Sequence, residues 1–193
     1  LNTFTHVLEG YKVAEKIKAH GVGASTFSDW WAYKYEVNDA IPHNGALLND
    51  MGIVTAFNSD DAEMARRLNQ EAAKAVKYGG ASEEDAWKFI TLNPAKLLHI
   101  EDKTGSLKKG KDADLVLWSG HPMSVYSLVE QTYVDGRLYY SLSLDRENRL
   151  RNAKERNRLT QKMLSEKKAG KKTQKIKKER SFIFHCDDES HSF

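Results

Sequence analysis

The sequence predicts an α/β fold of parallel strand–helix units, followed by a small antiparallel β element and a charged tail. Three observations carry this. Short β-branched runs alternate with amphipathic helical patterns through the first hundred residues. Gly105, Gly110, Gly120 and Pro122 then cut the chain into short pieces around Asp135-Gly136, a strong hairpin signal. After Ser141 the sequence is long, charged and poor in aromatics.

The first strand is expected over Thr3 to Val7, and Leu8-Glu9-Gly10 turns the chain. Tyr11 to Ala19 reads as a short amphipathic helix, with Gly21 just past its end. Val22 to Phe27 is the second strand, and an aromatic segment from Ser28 to Tyr35 follows. Asn44 to Asn49 reads as a short helix and Gly52 to Phe57 as the third strand. A single helix is expected over 62–78, with Leu68, Ala72 and Ala75 on one face and Gly79-Gly80 stopping it. Ser82 caps the next helix, with Asp85 three positions on, and that helix runs to Asn93-Pro94. Ala95 to His99 adds a turn or two. Strands are expected over Ala113 to Trp118, Val129 to Val134 and Arg137 to Tyr140. Leu144 to Leu164 reads as a solvent-exposed helix, and Ser165 to Arg180 as disordered.

Composition narrows the function classes. The chain has 193 residues, 40% of them apolar, which is enough for a core. Residues 151–180 hold 13 Lys/Arg against 3 Asp/Glu, so the net charge of +3 belongs to the tail and the remainder is mildly acidic. Without aromatic interleaving or a reading module, that tail reads as a solvated arm and not as a nucleic-acid binder. No run of 18 apolar residues exists, so no membrane span is expected. The single cysteine, Cys186, excludes an intrachain disulfide and a cysteine-based zinc cluster, so any metal must be held by His and carboxylates. The chain opens at Leu1 in mid-pattern and is expected to be the carboxyl-terminal piece of a longer protein, which leaves its localisation open.

Three strands end in reactive residues: His6, the Ser28-Asp29 pair, and Asp60 in Asn58-Ser59-Asp60-Asp61. In an α/β barrel such ends converge on one face. A His and an Asp there could share a divalent ion such as zinc, which activates water while the Asp takes its proton. The bland alternatives stand beside this. A Ser-Asp after a strand is more often a helix N-cap, although Asp61 or Ser59 could cap and leave Asp60 free. A strand-end His is more often a hydrogen-bonded packing residue.

The stretch Gly110-Lys111-Asp112-Ala113-Asp114-Leu115-Val116-Leu117-Trp118 tips the balance. With Thr91-Leu92-Asn93-Pro94-Ala95-Lys96-Leu97-Leu98, Gly105-Ser106-Leu107 and Val134-Asp135-Gly136-Arg137, it resembles the closing segment of the metal-dependent amidohydrolase superfamily. The likeness is to imidazolonepropionase-like and Xaa-Pro dipeptidase-like members, and it covers roughly residues 3 to 141. It implies the last strands and helices of a (β/α)8 TIM barrel over 1–100. Part of a small β-sandwich follows over 101–141, then a charged tail over 142–193. It implies hydrolysis of carbon–nitrogen bonds in amides, cyclic amides or small peptides, with one or two divalent ions, zinc foremost. Asp60 matches the family's metal-binding, proton-shuttling Asp after the eighth strand. His6 matches the His after the sixth, a metal ligand or oxyanion contact, and Trp30, Trp31 and Tyr33 would line the substrate pocket. Asp114 is read as a structural hydrogen-bonding carboxylate.

This sequence departs from the family in one respect. The His-x-His after the first strand is absent, as are the bridging Lys or Glu and the His after the fifth strand. His20, His43, His99 and His121 do not replace them, and His185, Cys186 and His191 lie in the tail. The chain alone is therefore expected to be inactive and poorly folded, with the missing amino-terminal part of its own chain and further copies of itself, in a homo-oligomer, as the candidate partners. Two competing readings remain: a catalytically silent relative used for binding or assembly, and an interaction protein working through its basic tail.

Overall fold

The structure, a computed structural model, describes residues 3–60, 62–172 and 174. Three parallel strands form the first sheet: β1 (Thr3–Phe4), β2 (Gly23–Thr26) and β3 (Thr55–Phe57), in that order. Thr3 faces Gly23, and Ala24, Ser25 and Thr26 face Thr55, Ala56 and Phe57. Helices α1 (Ala14–His20) and α2 (Asn44–Asp50) connect them. Parallel strands require such crossovers, which is why helical and strand patterns alternate in the sequence. Gly21, at φ 76°, closes α1 by donating its N–H to Ile17 and Lys18 carbonyls.

The expected strand over Thr3 to Val7 is shorter because His6 sits at φ 55°, a left-handed conformation that ends regular β geometry. The chain re-joins the sheet at Val7, whose N–H donates to the Ser25 carbonyl at 3.0 Å. Similarly, β2 occupies the middle of its expected run and β3 only the last three residues of its own.

The expected helix over 62–78 is two helices, α3 (Ala62–Ala65) and α4 (Leu68–Gly79). Arg67, at φ −131° and ψ 30°, breaks the path. The break re-phases α4 so that Asn69, Glu71, Ala72 and Ala75 face inward. Gly80, at φ 70°, terminates α4. Ser82 caps α5 (Glu83–Lys88) as expected: its Oγ accepts the Asp85 N–H at 3.0 Å and donates to Asp85 Oδ2 at 2.8 Å. The helix expected to reach Asn93 breaks earlier, and α6 (Leu92–Leu97) takes Pro94 into its first turn, where a missing N–H costs nothing.

Two apolar clusters hold this region. Ala14, Ile17, Val22, Ala24, Leu48 and Ile53 pack α1 and α2 onto the sheet. Ala46, Phe57, Ala75, Ala81, Ala86 and Phe89 join α2, β3, α4 and α5. Asn93, from the Asn-Pro motif, donates to the Thr55 carbonyl at 2.8 Å and so pins α6 to β3.

The second sheet is antiparallel: β4 (Leu115–Trp118), β5 (Val129–Val134) and β6 (Arg137–Ser141). Asp135 and Gly136 both have positive φ, 50° and 72°, as the two-residue hairpin turn requires. Asp114 has the structural role expected of it. Its Oδ1 accepts the Asp135 N–H at 3.0 Å and its Oδ2 accepts the Thr104 hydroxyl at 3.1 Å, tying the hairpin tip to the preceding loop.

Helix α7 (Leu142–Lys168) buries none of its residues. It carries i,i+4 and i,i+3 pairs, Asp145–Arg149 and Glu155–Arg158, each at 2.6 Å. The expected disorder from Ser165 is corrected as far as Lys168, which is helical. His185, Cys186 and His191 lie outside the described residues, as does most of the segment beyond 172. No helix among the described residues is long and apolar enough to cross a membrane.

Candidate active site

The carboxyl ends of the three parallel strands lie along one edge of the sheet, and the residues that follow them meet there. His6 Nε2 lies 3.3 Å from Asp60 Oδ1. The histidine is 53% exposed and the carboxylate 18% exposed, so the pair sits near the surface and not in the core. Local sequence explains the placement. Asn44, fully buried at the start of α2, binds both strand ends. Its Nδ2 donates to the Val7 carbonyl at 2.8 Å and to Thr26 Oγ1 at 3.0 Å, and its Oδ1 accepts the Tyr11 N–H at 2.9 Å. Asn58 donates its N–H to the Thr26 carbonyl at 3.0 Å, which sets the start of the loop bearing Asp60. Asp61, the alternative cap for α3, lies outside the described residues.

The His6 ring stacks on Phe27, with centroids 5.3 Å apart. Phe27 stacks face to face on Trp30 at 3.8 Å, and Trp30 meets Tyr33 edge-on at 5.8 Å. The rings thus run continuously from the His–Asp pair into the loop after β2. Trp31 stands outside this stack and is 56% exposed.

Sequence reasoning missed the polar cluster beside the rings. Ser28 Oγ donates to Glu71 Oε2 and lies 3.3 Å from Asp29 Oδ1. Lys74 Nζ reaches Asp29 at 2.9 Å and Glu71 at 2.8 Å. Burial alone would lower the Lys74 pKa, but the hydrogen bonds and charges of Glu71 and Asp29 outweigh it and hold the ammonium above its ordinary range. One signal existed: Glu71 follows Leu68 by three positions and so lies on the apolar face of α4, where a carboxylate needs a partner.

The donor types suit a divalent ion. Imidazole nitrogen and carboxylate oxygen are ligands zinc takes, and two donors sharing one tetrahedral ion at about 2.0–2.2 Å sit about 3.4 Å apart. The observed 3.3 Å fits that spacing. Among the described residues no group of three or more His, Cys, Asp or Glu side chains could hold a metal. The pair therefore fits as part of a site, with further donors needed from elsewhere. Both side-chain amide atoms of Asn58, two residues before Asp60, are buried without a hydrogen-bond partner, which marks polar capacity at this strand end as well.

The three parallel strands carry an acid and an imidazole at their carboxyl edge, and comparison with known proteins gives the family. Residues 2–140 match the model of the amidohydrolase family, and the chain belongs to that family. It is 30% identical over 141 residues to the amidohydrolase tasK of Hapsidospora irregularis, covering 70% of this chain and 14% of that protein. It is 34% identical over 90 residues to the urease alpha subunit of Haloquadratum walsbyi, covering 37% of this chain and 16% of that one. Among solved structures, an amidohydrolase from Thermotoga maritima shares 35% identity with a TM-score of 0.68, covering 72% of this chain and 37% of that chain. A Xaa-Pro dipeptidase with bound methionine shares the fold, with a TM-score of 0.57 at 22% identity, over 73% of this chain and 40% of that one. The chain spans well under half the length of these relatives.

Proposed function

We propose that this chain is the carboxyl-terminal part of a metal-dependent hydrolase that cleaves carbon–nitrogen bonds in amides, cyclic amides or small peptides. The observation that carries the reading is the His6–Asp60 pair at the carboxyl edge of the parallel sheet, with its 3.3 Å donor spacing. Membership of the amidohydrolase family supports the bond type. In this reading the first sheet belongs to a TIM barrel (residues 1–100), the second to a small β-sandwich (101–141), and residues 142–193 form the tail.

His6 and Asp60 would hold a divalent ion, zinc foremost, with the remaining donors supplied from the amino-terminal part of the same protein. When bound, the ion supplies an activated water and a Lewis acid. Asp60 accepts the proton of the attacking water as its oxygen bonds to the carbonyl carbon, then delivers that proton to the nitrogen as the C–N bond breaks. His6, whose ring stacks on Phe27, would hold the ion in this reading; donating toward the developing oxyanion is its alternative role. Trp30 and Tyr33 wall the substrate on one side, with Trp31 at the exposed rim.

The test uses the full-length protein that carries this sequence. Its metal content is measured and it is assayed on a panel of dipeptides, N-acyl amino acids and cyclic amides. The reading requires about one or two divalent ions per chain and turnover that a chelator abolishes and zinc restores. Bound metal with no turnover on the panel would reject the substrate class. Neither metal nor turnover would favour the catalytically silent relative. Hydrolysis by the isolated, metal-loaded 193-residue chain would overturn the fragment part of the reading.

A further inference from the structure

We infer that the Ser28–Asp29–Glu71–Lys74 cluster is a positioning device that holds the aromatic loop after β2 in place beside the His6–Asp60 pair, with Lys74 as its centre. The inference rests on the proposed hydrolase reading for its kinetic consequence, but its geometric basis is independent of it.

The loop needs an external anchor. It follows β2 without regular secondary structure until a single 3-10 turn at Tyr35–Val37. Ala32 sits at φ 59°, a conformation that a residue with a Cβ holds only when its surroundings enforce it. The backbone bonds within the loop are short-range: the Trp31 N–H to the Asp29 carbonyl at 2.7 Å, the Ala32 N–H to the Val37 carbonyl at 2.9 Å, the Val37 N–H to the Lys34 carbonyl at 3.2 Å and the Asn38 N–H to the Tyr35 carbonyl at 3.1 Å.

The cluster supplies the anchor at the loop's first two residues. Ser28 is buried, and its hydroxyl donates to Glu71, which is 3% exposed. Asp29 is held by Lys74, which also neutralises Glu71. Lys74 thus bridges a carboxylate of the loop, 45 residues away in sequence, and a buried carboxylate of its own helix, three residues away. A buried carboxylate persists only when paired and hydrogen-bonded, and Glu71 satisfies both conditions through partners on two elements. The ring stack runs from Phe27, one residue before Ser28, to His6. A shift at Ser28-Asp29 therefore displaces the aromatic wall against the reacting pair, while the ends of β1 and β2 stay tied to α2 through Asn44.

Lys74 bonds to Asp29 and Glu71 and lies outside the reacting pair, so it is a positioning residue. Losing it should loosen substrate binding more than chemistry. The test uses the full-length protein. Lys74→Met alone strands Glu71, so the double variant E71Q/K74M is the better comparison: it removes both charges and keeps the side-chain volume. Lys74→Arg is the conservative rescue. Two readouts are taken: hydrogen–deuterium exchange over residues 28–38, and kcat and KM on the best substrate of the panel. The inference expects exchange over 28–38 to rise about tenfold in the double variant, with exchange in β3 and α6 unchanged. It expects KM to rise about tenfold with kcat within about twofold, and Lys74→Arg to return both toward wild type. Unchanged loop exchange would overturn the inference, as would a fall in kcat at constant KM. Global unfolding of E71Q/K74M would shift the test to Asp29→Asn, which removes only the outer arm of the cluster and must raise loop exchange if the inference holds. If the wild type shows no turnover on any substrate, the hydrolase reading fails while the exchange arm still decides the anchor.

Discussion

Asn44→Ala removes the residue that ties two strand ends together, and its cost can be worked out bond by bond. Asn44 is 1% exposed and makes three hydrogen bonds, to Val7 O, Thr26 Oγ1 and the Tyr11 N–H. A typical intramolecular hydrogen bond contributes about 1 kcal/mol net, which gives about 3 kcal/mol for three. The losses are unequal. Val7 O keeps a second donor, the Gly10 N–H at 3.3 Å, so its share is small. The Tyr11 N–H loses its acceptor and bears most of the penalty. We expect a destabilisation of about 2–3 kcal/mol, read by urea denaturation of the full-length protein. The Tyr11 amide should exchange about 30-fold faster, since about 1.4 kcal/mol corresponds to tenfold. Asn44→Asp separates the terms, because it keeps an acceptor for Tyr11 but turns both donors into acceptors facing oxygen. It should protect the Tyr11 amide while still destabilising. A loss below about 0.5 kcal/mol in Asn44→Ala, with Tyr11 exchange unchanged, would refute the reasoning.

Three further outcomes are expected. Gly45→Ala should cost about 1–3 kcal/mol in thermal or chemical denaturation, because its Cβ would lie 2.4 Å from Phe57 Cε1 and force α2 away from β3. Ser82→Ala should cost about 1 kcal/mol through loss of the α5 cap, measured the same way. The Asp85 carboxyl is held below its ordinary value, first by the Ser82 hydroxyl and then by Lys88. A depressed folded pKa contributes stability that is present above the unfolded value of 3.8 and is lost as pH falls through the folded pKa. The stability difference between wild type and Asp85→Asn should therefore be constant from about pH 5 to 7 and shrink below about pH 4; a difference independent of pH down to about 2 would contradict this.

Much of the fold was legible because its signals are local. Gly21 and Gly80 mark helix ends by the positive φ only glycine adopts freely, and Asp135-Gly136 marks its hairpin for the same reason. His6 and Asp60 were legible as strand-end residues, since parallel strands carry such residues to one edge. The break at Arg67 was not legible: arginine is a good helix former, and the break follows from the inward placement of Asn69 and Glu71, a tertiary demand. Asn69, for instance, donates to the Pro122 carbonyl at 2.6 Å, 53 residues away. The Ser28–Glu71 contact spans 43 residues and leaves only one trace in sequence, a carboxylate on an apolar helix face. Likewise, the stacking of His6 on Phe27 depends on the register of β1 against β2, which no local pattern encodes.

The central claim is that His6 and Asp60 share a divalent ion. Anomalous diffraction at the zinc edge, on crystals of the full-length protein grown with zinc, tests it most directly. The account predicts a peak about 2.0–2.2 Å from both His6 Nε2 and an Asp60 carboxylate oxygen. Zinc bound elsewhere in the molecule, with the His6–Asp60 pair still in direct contact, would contradict it.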